Sequence, residues 1–436
     1  MFDRISFFLA GDAFQPRCIG VYGGVEDVAP LFDRLRAADV GFVNLEITIH
    51  DFEGYPVGGE KRDAYGQADP SVALDLRRMG FDMVSCANNH AMDYSAGGLE
   101  ATVRHLDEAG IVHAGAGVDL AEAREPAYLE TSKGTVALVS ATTWGLGSAG
   151  RSREGLRGRP GVNPLRLETV YHLEDEDWER VTRLAGSLGL LPEDHDEGFD
   201  FPVRGHRFVP GDRTRRELEP NPLDLSGNLK AVQDARRLGD WVVFSLHDHY
   251  SPLRAREGFR RNQVPTRAAE ELAHEVVDAG ADIVAGHGPH VLRGIEIYHG
   301  RPIFYSLGNW VFQSTLCRRQ PSDIFEQWGL TAEHTVADLY KRREEPPSRF
   351  FRDPAYWESI VAEVVLERGG VSEIRLVPVH LDYDPEKPLS KQRTRAGIPH
   401  LATDERAERI IEEVARLSRP YGTEIESRDA VGHVVL

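Results

Sequence analysis

Between residues 5 and 145 the chain alternates short apolar runs with segments whose apolar residues recur every three or four positions. The runs "ISFFLA", "GFVNLE", "FDMVSCA" and "TVALVSATT" predict buried strands. "PLFDRLRAA", "PSVALDLRRMG" and "AGGLEATVRHLDEAG" predict helices. Such alternation builds a layered sheet covered by helices. The rhythm breaks over 146–225, rich in Gly, Pro and charge ("GRSREGLRGRPGVNP", "LPEDHDEGFDFP"). A structureless loop of that length does not suit a compact domain, so an insertion with one or two helices is expected. The alternation returns with "LKAVQDARRLG" (helix), "WVVFSLH" (strand), "AAEELAHEVVDAG" (helix) and "ADIVAG" (strand). "GIEIYHGRPIFYSLG" predicts two strands around a tight turn at His299-Gly300. A second irregular segment covers about 313–357. "ESIVAEVVLERGGVSEIRLVPVHL" then predicts a hairpin turning at Gly369-Gly370, and "DERAERIIEEVARLS" a final helix. The expected organisation is one α/β domain over 1–436, with insertions at about 146–225 and 313–357 and a C-terminal hairpin and helix at about 358–420.

Charge narrows the partners. Seventy acidic residues against 51 Lys plus Arg give a formal charge of −19. Such a surface repels nucleic acid and anionic membranes, while leaving room for a local basic pocket. Cys18, Cys86 and Cys317 are widely spaced and match no zinc or redox spacing. A reducing cytoplasm is the expected location. "ISFFLAG" is too short for a signal-peptide core, and no apolar run reaches the roughly 18 residues of a membrane span. Oligomeric state is left open.

The candidate chemistry lies where predicted strands end, which is where open α/β sheets bind ligands. Gly11-Asp12 follows the first run, and Asn44-Leu45-Glu46 the second. Asn88-Asn89-His90 and Asp93 follow "MVSCA". His247-Asp248-His249 ends "WVVFSL"; His287 and His290 end "ADIVAG". Each alone has an ordinary reading as a cap, a turn or a satisfied loop residue. Gathered on one sheet edge, these carboxylates, amides and imidazoles are the donors a divalent cation needs.

The segments "AGDAFQPR", "FVNLE", "ANNHAMDYSAGGLEATVRHLDEAGIVHAGAG", "VVFSLHDHY" and "GADIVAGHGPHVLRGIEIYHGRPIFYSLGN" together resemble the CapA-like (poly-γ-glutamate capsule synthesis) proteins. These are a branch of the calcineurin-like metallophosphoesterase superfamily. The resemblance covers most of 5–145 and 226–312. It implies a four-layer α/β/β/α sandwich with a metal centre at the strand ends. By the same resemblance Asp12, Glu46, Asn89, His247, His287 and His290 are metal-site residues, and His90 is an acid/base group that Asp93 orients. "SAGGLE" would turn the chain into a helix whose N-terminus faces the site and favours anions. Arg17 matches the Arg of the family's first motif and is expected at the pocket; Asn88 is taken as a substrate contact.

Two departures matter. The broader superfamily carries Gly-Asp-x-His where this chain has Phe14, so one imidazole ligand is missing, as in CapA-like proteins. Where CapA-like proteins usually show His-Trp-Gly, this chain has His247-Asp248-His249. Asp248 and His249 are therefore added as catalytic candidates, facing His90 and Asp93 across a substrate, so that one side removes a proton and the other returns one. The expected cofactor is one or two divalent ions, with Mn²⁺, Mg²⁺ or Ca²⁺ favoured over Zn²⁺.

The leading expectation is thus a metal-dependent acid/base enzyme acting on a peptide. Epimerisation at the Cα of a C-terminal residue is the favoured reaction, because the chain looks like the soluble relatives that include a lasso-peptide epimerase. Trp144, Trp178, Trp241, Trp310, Trp328, Trp357 and many Arg residues offer contacts to an aromatic residue and a carboxylate. The alternatives are a metal-dependent phosphoesterase or amide hydrolase, and a capsule component without catalysis.

Overall fold

The run predicted at "ISFFLA" continues as a strand from Arg4 to Phe14, carrying Asp12 inside it. Gly11 makes that possible: a Cβ there would lie 2.0 Å from the carbonyl oxygen of Gly308, whose chain passes alongside. The backbone N–H of Asp12 donates to that same oxygen at 2.9 Å. The computed structural model describes residues 3–58, 64–200, 206–252, 256–344, 352–384, 386–387, 391–392 and 395–436. Parts of both expected insertions, 201–205 and 345–351, lie outside the described residues.

Two large sheets form the body of the fold. The first runs in the order Ile425–Arg428, Val431–Val434, Gly370–His380, Glu358–Glu367, Arg4–Phe14, Val40–Asn44, Met83–Ser85, Val112–Ala114. Its last four strands are parallel, and the C-terminal hairpin joins antiparallel at Arg4–Phe14. The second runs Ile295–Tyr298, Arg301–Phe304, Ile283–His287, Trp241–His247, Gly134–Thr142, Ala127–Thr131. Its central strands are parallel too. The expected turn at His299-Gly300 is present, with φ of 50° and 73°, the left-handed pair that a two-residue hairpin demands.

Three apolar cores show the layering. Phe8, Val43 and Val84 pack against Leu31, Phe32 and Leu35 of the helix Ala29–Ala37, Leu76 of Ser71–Met79 and Leu99 and Leu106 of Ser95–Ala109. Phe7, Leu9 and Phe42 face Leu138, Val243 and Ile283 of the other sheet. Val139, Val242 and Phe244 pack against Val232 of Pro222–Leu238 and Leu272 and Val276 of Arg267–Ala279. Helix, sheet, sheet, helix is the expected α/β order. The helix Asp404–Ser418 puts Ala407, Ile410, Val414 and Leu417 into the middle core, so the C-terminal region completes the space between the sheets.

The 146–225 segment departs from expectation. Beside one helix, Asp175–Ser187, it holds a four-stranded sheet built from Phe199–Asp200, His206–Pro210, Leu167–Leu173 and Arg215–Pro220. His206–Pro210 and Arg215–Pro220 are half-exposed, the latter rich in Arg and Glu, so no apolar run marks them, while Leu167–Leu173 between them is mostly buried. Cross-strand aromatic stacking supports them: Tyr171 lies 4.8 Å from Phe208, ring centre to ring centre. The 313–357 segment contains two short helices, Ser322–Gln327 and Val336–Glu344. Among the described residues no helix is long and apolar enough to cross a membrane.

Candidate metal centre

Strand register brings the strand-end residues to one level. Asp12 is paired with Asn44 on one side and Asn309 on the other, and His247 with His287. The two sheets meet there: the N–H of Gly288 donates to Asp12 Oδ2 at 2.9 Å. Gly288 takes φ of 115° in contact with the Asp248 backbone, and His290 takes φ of 58°, a left-handed conformation that costs a side-chain-bearing residue energy. That backbone aims the His290 ring between the two carboxylates.

The gathered set is tight. Asp12 Oδ1 lies 3.7 Å from His247 Nδ1 and 3.6 Å from His287 Nδ1, and Asp12 Oδ2 lies 3.4 Å from His290 Nδ1. Glu46 Oε1 lies 3.6 Å from both His247 Nε2 and His290 Nε2, and 3.9 Å from His249 Nε2. Asn89 Oδ1 is 3.0 Å from His247 Nε2. Three overlapping triads have ligand-type atoms close enough to share an ion: Asp12–His247–His287, Glu46–His247–His249 and Asp12–Glu46–His290. The cluster can therefore hold a metal ion.

The electrostatics explain why it would. Asp12 and Glu46 are fully buried. Neither carboxylate oxygen of Glu46 has a hydrogen-bond partner among the described residues. A buried polar group without a partner is costly, and a buried carboxylate more so. Burial pushes the Asp12 carboxyl up to about 7, against the hydrogen bond from Gly288. Burial, reinforced by Asp12 and Asp93, holds Glu46 well above the usual carboxylate range. Burial holds His287 down at about 3 and His290 at about 4. His247 and His249 are driven well below the usual range, by burial first and then by their imidazole neighbours. A cation reverses the carboxylate preference and suits the neutral imidazoles, since both are ligands in those forms.

Hydrogen bonds from beyond the cluster fix the rings. Ser245 Oγ lies 2.7 Å from His287 Nε2, and Asn309 Oδ1 2.9 Å from His290 Nδ1. Asn44 Nδ2 donates to Asp12 Oδ1 at 2.8 Å. None of these three positions takes a role from the sequence alone. Asn44 and Asn309 stand within the quoted motifs, one beside Glu46 and one ending "SLGN", and that was the available signal. Ser245 stands in "VVFSLHDHY" as well, two residues before His247.

His90 and Asp93 form the expected pair: Nδ1 to Oδ2 is 2.6 Å, and Asp93 Oδ2 also accepts the N–H of Gly66 at 2.6 Å. Asp93 is wholly buried, while the His90 side chain is 16% exposed and that of His249 26%. Asp12, Glu46, His247 and His287 thus form a buried floor, with His90, His249 and His290, whose side chain is 13% exposed, at its rim. Aromatic rings stand edge-on to these imidazoles: Phe14 to His90 at 5.0 Å and Trp144 to His249 at 6.1 Å. Phe14, where the broader motif has a ligand, is a wall.

Three expectations are corrected. Asp248 does not join the cluster: its Oδ1 accepts from Thr143 Oγ1 and Tyr250 N, and its Oδ2 from Arg293 Nη1. Alternation along the strand end turns it away from its two histidine neighbours. Asn88 is buried and braces the loop, donating to Leu45 O and accepting from His90 N, so its amide is not offered to a ligand. Arg17 Nε donates to Gln313 Oε1, one residue past Phe312, whose ring lies 5.4 Å from that of His290. The first turn of the helix Ser95–Ala109 is occupied by the backbone of Glu53 and Gly54, with Ser95 Oγ donating to Tyr55 O, so it is not open to an anion.

Known proteins match this chain in sequence. An uncharacterized protein (y4uA) of Sinorhizobium fredii is 35% identical over 450 aligned residues, spanning 100% of this chain and 94% of its own. The PGA biosynthesis protein CapA of Bacillus subtilis is 27% identical over 89% of this chain and 85% of its own. A probable polyglutamine synthesis accessory protein of Mycobacterium tuberculosis is 25% identical over 63% of this chain and 56% of its own. The family profile described as "Bacterial capsule synthesis protein PGA_cap" matches residues 10–314, from the strand that carries Asp12 to just past the one that opens with Asn309. With that match across the whole ligand-bearing region and a mixed α/β fold of the calcineurin-like kind, the chain belongs to the PGA_cap, or CapA-like, family.

Proposed function

We propose that this protein is a metal-dependent acid/base enzyme acting on a peptide-type substrate, and that it inverts the configuration at a Cα next to a carbonyl. The observation that carries the reading is the partnerless, buried Glu46 among imidazoles, directly below a rim that holds His90 with its Asp93 and, separately, His249. Asp12, Glu46, His247, His287 and His290 would hold the ion, with Asn89 supplying a neutral oxygen. Its chemistry when bound is to stabilise negative charge on a substrate carbonyl oxygen. The remaining work falls to the chain. One rim imidazole, neutral because its surroundings disfavour charge, accepts the Cα proton. The other rim imidazole, entering the step with a proton on the nitrogen that faces the substrate, returns that proton to the opposite face, and both rings exchange protons with water between turnovers. Atoms balance, and no bond but Cα–H breaks and re-forms.

Three imidazoles beside two carboxylates depart from the all-oxygen shells that Mg²⁺ and Ca²⁺ prefer, which leaves Mn²⁺ as the choice among the three expected ions. The chain is taken to work as one unit over 1–436, with the 146–225 and 313–357 segments as walls of the site. The printed names of the relatives, capsule and polyglutamine synthesis, favour a peptide-type polymer as the substrate class. A C-terminal residue of a ribosomal peptide in the cytoplasm is the narrower choice, which the aromatic rim supports.

The test is deuterium incorporation at Cα of short peptides in D₂O with Mn²⁺, run beside phosphate release from an aryl phosphate. Exchange without cleavage supports the reading. Phosphate or amide cleavage without exchange makes the protein a hydrolase. Neither activity, with no metal retained after dialysis, leaves a capsule component without catalysis.

A further inference from the structure

A second cavity, of about 190 Å³, opens beside the C-terminal hairpin and helix. Three guanidinium groups, Arg352, Arg406 and Arg409, line it. Its two carboxylates are already engaged: Glu358 pairs with Arg409, and Asp382 with Arg395, 2.6 Å away. Arg406 is different. Its Nη1 donates to His380 Nδ1 at 2.9 Å, and that nitrogen also accepts the N–H of Asp382 at 3.2 Å. A nitrogen that accepts twice carries no proton, so the partner of Arg406 is a neutral ring. Arg352 makes no ion pair among the described residues. Two cations therefore stand over one cavity without a countercharge, on a chain whose formal charge is −19.

The opposite wall is aromatic. Trp357 stacks on Tyr383 with ring centres 4.0 Å apart and planes 18° from parallel. Trp357 also meets Phe312 edge-on at 5.9 Å, and Phe312 lies 5.4 Å from the ring of His290. The cavity is thus two ring contacts from the cluster, but it shares none of the cluster's residues. Guanidinium forks recognise carboxylate and phosphate, and a flat aromatic wall suits the stem that carries such a group.

We propose that this cavity binds a ligand's oxyanion, a carboxylate or a phosphate, through Arg352 and Arg406, with the stem against the Trp357–Tyr383 stack. The proposal does not depend on the metal reading.

Calorimetric titration of the full chain, stripped of metal by chelator and then desalted so that neither a cation at the cluster nor the chelator's own carboxylates compete, tests it. Glutarate and inorganic phosphate are the probes, with sodium chloride as the control. One of them is expected to bind saturably, one per chain, and at least tenfold more weakly to Arg406→Gln and to Arg352→Gln. Binding of glutarate alone assigns a carboxylate; binding of phosphate alone assigns a phosphate. Arg352→Gln removes an exposed side chain that makes no ion pair among the described residues, so it keeps the test decisive if Arg406→Gln does not fold. No saturable heat from either anion, or undiminished binding by Arg352→Gln, overturns the proposal. Metal content of the same samples before chelation reports on the cluster separately.

Discussion

Arg293 and Asp248 form an ion pair in the interior, Nη1 to Oδ2 at 3.2 Å, with both side chains almost wholly excluded from solvent. Arg293 also donates to Tyr250 O and Asn262 O. Asp248 sits between His247 and His249, so the pair anchors the segment from which both rings project. What reads in sequence as a His-Asp-His triplet of like purpose is, in space, two ring bearers and the anchor between them.

Removing one partner should therefore be expensive. Arg293→Met leaves the Asp248 carboxylate buried without a countercharge, and a loss of about 3–5 kcal/mol is expected. Metal affinity should fall with it, because His247 and His249 lose their fixed backbone. Denaturant unfolding, with metal content read on the surviving folded protein, checks both. Stability within about 1 kcal/mol of the parent would show that the pair does not anchor the segment.

Glu46→Gln should split stability from metal binding. Glutamine keeps the shape but removes a carboxyl whose charged form burial disfavours. The metal-free variant is expected to be as stable as the metal-free parent, or more stable. Its affinity for Mn²⁺ should drop at least tenfold, with Mn²⁺ raising its melting temperature much less than the parent's. Asp12→Ala, which removes a ligand outright, should lose the metal. Unchanged metal content in both variants would refute the ligand assignment.

How much of this was legible in the chain depends on what each element buries. The strands carrying Asp12, Glu46, His247 and His287 lie in the sheets' interior, so continuous apolar runs announced them and the polar residues at their ends stood out. The four-stranded sheet within 146–225 has two of its strands half in water, and alternation of Arg and Glu with Val and Phe hid it. Orientation was the other blind spot. Asn88 and Asn89 are neighbours of one type, yet one braces Leu45 and the other meets His247. The expectation of Mn²⁺, Mg²⁺ or Ca²⁺ over Zn²⁺ rested on counting few imidazoles, and the fold brings four of them to the two carboxylates.

His50 makes stability depend on pH away from the ligands. Its Nδ1 accepts the N–H of Phe52 at 2.9 Å, its ring lies 4.3 Å from that of Tyr94, and it is fully buried. Burial lowers it to about 4. Between roughly pH 4 and 6.5 the unfolded chain binds this proton and the folded chain does not, so stability rises with pH across that window. The contribution is complete above about 6.5 and is lost as pH falls towards 4, by about 3 kcal/mol at most. An asparagine side chain cannot titrate and keeps an acceptor for the Phe52 N–H, so His50→Asn should flatten the parent's decline. Denaturant unfolding of both proteins at matched pH values measures the difference; parallel curves would remove His50 from the account.

Asp93→Asn tests the rim without touching the ligands. Asp93 Oδ2 accepts both the Gly66 N–H and, across 2.6 Å, the proton on His90 Nδ1, which leaves Nε2 of that ring as the atom that exchanges a proton with the substrate. An amide in the same place has one oxygen to accept with, and its NH₂ group, if turned to His90, forces the opposite tautomer. Cα exchange is then expected to fall by about 10- to 100-fold while metal content stays at the parent's level. His90→Ala and His249→Ala should each abolish exchange in folded, metal-loaded protein. Parent-like exchange in both alanine variants rules out the two-sided proton transfer. A fall in Asp93→Asn that tracks loss of metal would instead place Asp93 with the scaffold of the ligands rather than with the proton carrier.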